Sequence, residues 1–314
     1  MILAGGFATR LRPLSCTRPK ILFPIVNKPL LQWTFERLAK NDVKDVVLAV
    51  FYQTEVYIKQ HRVPRSGLHV TYSHDPLRKP LGTAGSIKKA EKRVGHDSPF
   101  LTLNGDTFAD VDYREMLKQH EKSGCIATIA LHQVQDPSRY GVAKLSAHNR
   151  IAGFIEKPRI GTAPSNLINA GAYMLDPKIF QYIPHGQTMS IEREVFPKLV
   201  EENELYGYVH QGLWTDIGKP EDYLELNRIM LDKNGERTKS KSGESAEIKA
   251  PVAFGKEVSI GKQSTIGPYA VLGPRVKVGS NADIENSIVL AGTEISDFAE
   301  VHNAIIGEDV YLGR

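Results

Sequence analysis

Near the C-terminus the chain carries a repeat that few folds can accommodate. Phe254-Gly255, Ile260-Gly261, Ile266-Gly267, Leu272-Gly273 and Val278-Gly279 recur every six residues, and Ile284 continues the series. An apolar residue at that interval falls at the same point of each side of a parallel β-helix, where it stacks on the next coil. The period loosens after Ile284, and Ile306-Gly307 and Leu312-Gly313 restore it. Residues 248–314 are therefore expected to form a left-handed, hexapeptide-repeat β-helix. Residues 232–247 hold no large apolar side chain apart from their flanks and read as a linker.

Residues 1–231 follow a different pattern. Leu31, Phe35 and Leu38 fall at helical spacing, with Asn41-Asp42 as the stop. Val46 to Val50 is a continuous apolar run, as in a strand buried on both faces. Strand and helix alternate in this way along the segment. The fold class is thus α/β: a mostly parallel, Rossmann-like sheet with helices on both faces, followed by the β-helix. With no apolar residue in the linker to bind the halves, residues 1–231 are expected to fold alone and retain turnover. The open final coil would carry self-association, making the chain a homo-oligomer.

The apolar run through Leu3 and Ala4 feeds a glycine-rich loop, Gly5-Gly6-Phe7-Ala8-Thr9-Arg10-Leu11-Arg12-Pro13-Leu14, closed by Pro19-Lys20. Paired glycines let backbone N–H groups approach a bound group, and Thr9 adds a hydroxyl. Arg10 and Lys20 bring the fixed charge with which proteins hold phosphate oxygens. Neither the dinucleotide fingerprint nor the P-loop is present, since their later glycines and Gly-Lys-Ser/Thr are missing. Gly82 and Thr83 open a helix, either as a plain cap or with N–H groups turned to a ligand. Asn104-Gly105-Asp106 ends the apolar strand Phe100 to Leu103, at the sheet edge where ligands of open α/β sheets bind. Asp106 there is either a turn cap or a magnesium ligand. Asp112 reads as the N-cap of the next helix, which Gly124 closes. Tyr140-Gly141, Glu156-Lys157-Pro158 and Asn169-Ala170-Gly171 each set polar groups beside glycine or proline at a strand end. Trp214-Thr215-Asp216 adds a second carboxylate before a helix with Pro220 in its first turn.

These strings, in this order, resemble the signature of the sugar-1-phosphate nucleotidyltransferases, the nucleotide-sugar pyrophosphorylases. Within that family the pattern of residues 80–85, 168–171 and 190–197 is closest to the mannose-1-phosphate guanylyltransferases. Ala8 stands where many members have glycine. The resemblance implies attack of a sugar 1-phosphate oxygen on the α-phosphate of a nucleoside triphosphate, with release of pyrophosphate. It implies nucleotide contacts at Leu3, Ala4, Gly5, Gly6, Thr9, Arg10, Gly82, Thr83, Asn104 and Asp106. Sugar-phosphate contacts follow at Tyr140, Gly141, Glu156, Lys157, Asn169 and Trp214. Arg10, Lys20, Asp106 and Asp216 would be catalytic, with Asp106 and Asp216 holding Mg²⁺. Mannose 1-phosphate with GTP is the expected pair. Glucose-1-phosphate thymidylyl- or uridylyltransfer and heptose-1-phosphate guanylyltransfer are the alternatives.

Two other classes fit less well. A regulatory subunit of such an enzyme would lack Arg10, Lys20 or a carboxylate, and all are present. An acetyltransferase on the β-helix could use His302, but too little repeat remains to build a cofactor cleft. A net charge of +4 is too mild to point to nucleic acid. No apolar run nears the roughly 20 residues of a membrane span, and no signal pattern opens the chain. Cys16 and Cys125 are the only cysteines, which argues against a disulfide framework and for a reducing cytoplasm.

Overall fold

The computed structural model describes residues 1–6, 8–77, 79–234, 241–242 and 245–314. They divide into two compact units, Met1–Gly6 with Leu31–Thr215, and Phe7–Leu30 with Asp216–Arg314.

The first unit is built on a nine-stranded sheet. Phe100–Asn104, Ile2–Leu3, Asp45–Val50 and His69–His74 lie side by side and parallel. Val46, Leu48, Ala49 and Val50 are buried, which is why that strand reads as an unbroken apolar run. Beyond Phe100–Asn104 the direction reverses. Leu167–Leu175 pairs antiparallel with it, with Ala127–Gln133 and, through Ile168 and Val142, with Gly141–Leu145. Ile151–Glu156 closes that edge, and Leu205–Val209 runs parallel to Ala127–Gln133. The core between sheet and helices gathers Ile87, Ile129, Leu131, Tyr173, Leu175, Phe196 and Leu199. Helix Leu30–Lys40 buries Leu31, Phe35 and Leu38, as their spacing requires. Asp112 caps Tyr113–Ser123 by accepting from Arg114 N and Glu115 N, and Gly124 ends it in the left-handed conformation.

The second unit contains the β-helix as three parallel ladders. Lys241–Ser242, Ser259–Ile260, Lys277–Val278, Glu294–Ile295 and Tyr311–Leu312 form one. The second runs through Glu247–Ile248, Thr265–Ile266, Asp283–Glu285 and Glu300–His302. The third is Val252–Phe254, Ala270–Leu272, Ile288–Val289 and Ile305–Ile306. This is the left-handed β-helix that the repeat implies. Within positions 232–247, helix Pro220–Asn234 runs on past Asp232, and Lys241–Ser242 and Glu247–Ile248 already belong to ladders. Positions 235–240, 243 and 244 lie outside the described residues. No described helix is long and apolar enough to cross a membrane.

Residues 7–30, which the sequence attaches to the catalytic segment, belong with this second unit. Their anchors are specific. Tyr223 donates to Pro24 O at 2.6 Å, Val26 N to Asn227 Oδ1 at 2.8 Å, and Asn27 Nδ2 to Leu272 O at 3.0 Å. Arg18 forms an ion pair with Glu308.

Candidate active site

The parallel strands leave their carboxyl ends at one edge of the sheet, and the site residues of the first unit collect there. Ala4 N bonds to Ala49 O and Gly105 N to Leu3 O, each at 2.8 Å, so both turns leave the sheet side by side. Asn104 ends its strand and Asp106 stands half-buried in the turn that follows. Leu3, Ala4 and Gly5 are half-buried there and Gly6 is exposed. Beneath Gly5 lies a residue that the sequence pattern does not single out. Asp75 follows strand His69–His74 and is buried, and a side chain on Gly5 would begin 3.2 Å from its Oδ2. Ser86 donates to Asp75 Oδ2, whereas Oδ1 is buried without a hydrogen-bond partner among the described residues. Burial pushes this carboxyl above the usual aspartate value.

Gly82 starts its helix at φ +69°, and any Cβ would sit 2.5 Å from Met189 O, so only glycine fits. Ala84 N donates to that same carbonyl at 3.0 Å. The Thr83 hydroxyl donates to Glu192 Oε2 at 2.7 Å and accepts from Ile191 N at 2.9 Å. What Thr83 can still offer a ligand is its backbone.

Strand register assembles the other half. Glu156 stands opposite Gly141, and Ile168 opposite Val142, which sets Asn169 beside them. Gly141 is required by close approach: a Cβ there would lie 2.6 Å from both Glu156 Oε2 and Phe154 Cζ. Burial, and then the neighbouring Glu192 charge, hold the Glu156 carboxyl above its ordinary value. Lys157 is exposed, with Nζ 3.8 Å from Glu156 Oε1, and its N–H donates to Tyr140 O at 3.0 Å. Trp214 is fixed by an Nε1–H bond to Ala170 O at 3.0 Å and by the Tyr140 ring at 5.0 Å. Behind it His132 stacks at 5.7 Å, with His210 4.9 Å further on. Neither ring nitrogen of His210 has a partner among the described residues, and burial lowers it to about 4. It is therefore neutral at pH 7 and serves as packing behind the tryptophan.

The second unit holds the remaining residues singled out in the sequence. Thr9 and Arg10 are exposed on a short 3₁₀ turn that follows Ala8, whose φ is +48°. Left-handed backbone at this position is a conformation that glycine adopts without strain. Lys20 Nζ lies 3.4 Å from Asp216 Oδ1.

Residues 1–233 match the family described as Nucleotidyl transferase, and residues 248–314 match the GMPPB C-terminal domain. This chain belongs to the nucleotidyl transferase family. A Debaryomyces hansenii protein named mannose-1-phosphate guanyltransferase is 40% identical over 100% of this chain and 87% of its own length. A Danio rerio protein named mannose-1-phosphate guanylyltransferase catalytic subunit beta is 42% identical over 71% of this chain and 62% of its own. Among solved structures, HddC from Yersinia pseudotuberculosis is 30% identical with a TM-score of 0.62, over 73% of this chain and 97% of that one.

In this nucleotidyl transferase, no cage of three or more His, Cys, Asp or Glu side chains occurs among the described residues. Asp106 and Asp216 are hard oxygen donors, and Asn104 Oδ1 is a further buried acceptor without a partner. Within the first unit, Asn104 and Asp106 offer oxygen donors of the kind a hard divalent cation takes, and Asp216 offers one on the second unit.

Proposed function

We propose that this chain transfers the guanylyl group of GTP to mannose 1-phosphate, giving GDP-mannose and pyrophosphate. The observation that carries this is the sheet register, which gathers Glu156, Gly141 and Asn169 at the edge where the Asn104–Asp106 turn emerges. Guanine and mannose are favoured by the relatives' names, one of which spans the whole chain.

A phosphate monoester is largely dianionic at pH 7, because its second pKa is near ~6, so its oxygen needs no general base. That oxygen attacks the α-phosphorus, the bond from the α-phosphorus to the bridging oxygen breaks, and the electron pair leaves with pyrophosphate. Alignment and charge neutralisation are what the protein must supply. Leu3 to Gly6 would hold the nucleotide phosphates through backbone N–H groups, with Thr9 and Arg10 beside them. Lys20 would meet the charge growing on pyrophosphate. Glu156 and Asn169 would orient the sugar hydroxyls, Tyr140, Gly141 and Trp214 would wall the ring, and Lys157 would pair with its phosphate. Gly82 and Thr83 would border the base. Asp106 and Asp216 would hold Mg²⁺, which when bound neutralises the phosphate oxygens. The same reading places the protein in the cytoplasm, as a homo-oligomer associating through the β-helix.

The test is pyrophosphate release with a panel of sugar 1-phosphates and each nucleoside triphosphate. The expected optimum is mannose 1-phosphate with GTP, abolished by EDTA and lowered by orders of magnitude in Asp106→Asn and Asp216→Asn. A higher kcat/KM for a thymidine or uridine triphosphate would overturn the guanylyl assignment. Turnover undiminished by EDTA would overturn the metal.

A further inference from the structure

One buried hydroxyl ties the nucleotide side of the site to the sugar side. Tyr173 lies inside strand Leu167–Leu175 with no exposed surface, its ring packed edge-on against Phe196 at 5.2 Å. Its OH accepts from Asn104 Nδ2 at 3.3 Å and from Asn169 Nδ2 at 2.9 Å, and donates to Glu192 Oε1 at 3.2 Å. The other Glu192 oxygen accepts from Thr83 and from Ser190, each at 2.7 Å. Four separate segments of the chain, 82–85, 104–106, 168–171 and 190–194, thus meet through one phenol and one carboxylate.

A buried tyrosine must place its hydroxyl somewhere, and any three polar groups would satisfy it. Here two of the three groups it touches, Asn104 and Asn169, belong to segments assigned to the substrates. Its effect on each is directional. By accepting from Asn104 Nδ2 it turns that amide so that Oδ1 faces away from the phenol, and that buried Oδ1 has no partner among the described residues. Asn169 is held between the phenol and Gly171 N, to which its Oδ1 is bound at 2.9 Å. Glu192 accepts from three hydroxyls and lies close enough to raise the Glu156 carboxyl.

We propose that Tyr173, with Glu192, is a positioning pair that sets the Asn104 amide for the nucleotide and the Asn169 amide for the sugar phosphate at once. The pair touches neither reacting atom and works through the two asparagines and Glu156. This rests on the guanylyl transfer proposed above.

Tyr173→Phe keeps the ring and removes only the hydroxyl. It should raise the KM for both GTP and mannose 1-phosphate, lowering kcat/KM roughly five- to tenfold for each. Glu192→Gln should do the same for mannose 1-phosphate, and the double variant should lose less than the product of the two losses, because the groups act as one unit. Unchanged kinetics in Tyr173→Phe beside a lowered Tm would show a structural role only and overturn the proposal. Fully multiplicative losses would overturn the pairing. The crystal structure of Tyr173→Phe, or of Glu192→Gln if the first fails to fold, gives a readout independent of turnover. Asn104 and Asn169 amides left in place would overturn the proposal, whereas rotated amides in a protein without GDP-mannose formation would overturn only the reaction.

Discussion

At Glu156, ionisation and recognition pull in opposite directions. Burial and the Glu192 charge favour the neutral acid, while Lys157 and Arg193 oppose them less strongly. A raised folded-state value in an acid means that its neutral form stabilises the fold below the ordinary value, and that this is lost as pH rises through the raised one. Whenever Glu156 is ionised the site holds a costly carboxylate, which a sugar hydroxyl donating to it would relieve. The expected outcome is a KM for mannose 1-phosphate that climbs on acidification, with its inflection above the ordinary 4.5. Glu192→Gln should move that inflection to lower pH, since it removes the like charge. An inflection unmoved by the substitution would show that burial alone sets Glu156. Of the residues concerned, Glu156 is legible in the sequence because it stands beside Lys157 and Pro158 at a strand end. Asp75 is not, because nothing in one aspartate after a strand tells a buried, half-partnered carboxylate from a turn. Tyr173 is hidden for the opposite reason: in an apolar run a tyrosine reads as core, and its hydroxyl's partners come from distant segments.

Among elements, the β-helix is the most legible and its irregularity is the most informative. Ile266 pairs with Ile284 eighteen positions on, whereas Ile284 pairs with Val301 after seventeen. The loosened period is one residue removed at each of two corners, between Ile284 and Val289 and between Val301 and Ile306, and no apolar side chain leaves its ladder. Lys241–Ser242 shows the limit of such patterning, since that strand joins its ladder through backbone pairing and carries no hexad apolar residue of its own. The direction of the strands at 141–175 is equally silent in the sequence: a buried antiparallel strand and a buried parallel one are the same apolar run. Ile284, fully buried between Ile266 and Val301, is the place to measure what the stacking contributes. Ile284→Ala should cost about 2–5 kcal/mol in denaturant unfolding, because the coils above and below cannot close on the gap. Exposed Glu300→Ala on the same ladder should stay within about 0.5 kcal/mol. Equal effects from the two would mean that backbone pairing, and not the apolar column, holds the coils together.

For the whole molecule, the sequence argues that the catalytic segment is self-sufficient, since every motif precedes residue 232 and no apolar residue stitches the linker. The contacts of Phe7–Leu30 argue for the opposite outcome. This stretch carries Arg10 and Lys20, and its regular structure is limited to short 3₁₀ turns and the strand pair Pro24–Ile25 with Lys28–Pro29. What fixes it lies far away in sequence: Asn227 and Tyr223 on helix Pro220–Asn234, Leu272 O on the third ladder, and Glu308 near the last coil. The buried Nε of Arg18 has no partner among the described residues, and its guanidinium is held by Glu308 and by Leu22 O. Removing Glu308 would leave a largely desolvated cation two residues from Lys20, a costly state that the loop would relieve by moving. In the full chain, Glu308→Ala should therefore lower kcat at least tenfold with little change in the KM for mannose 1-phosphate, because the sugar contacts lie on the other unit. Asn27→Ala, which frees a second anchor, should add to that loss. Steady-state pyrophosphate release at saturating substrate decides it. Wild-type kcat in both variants would mean that the loop holds its catalytic geometry unaided, and the sequence's division of the chain at residue 232 would then describe function as well as composition.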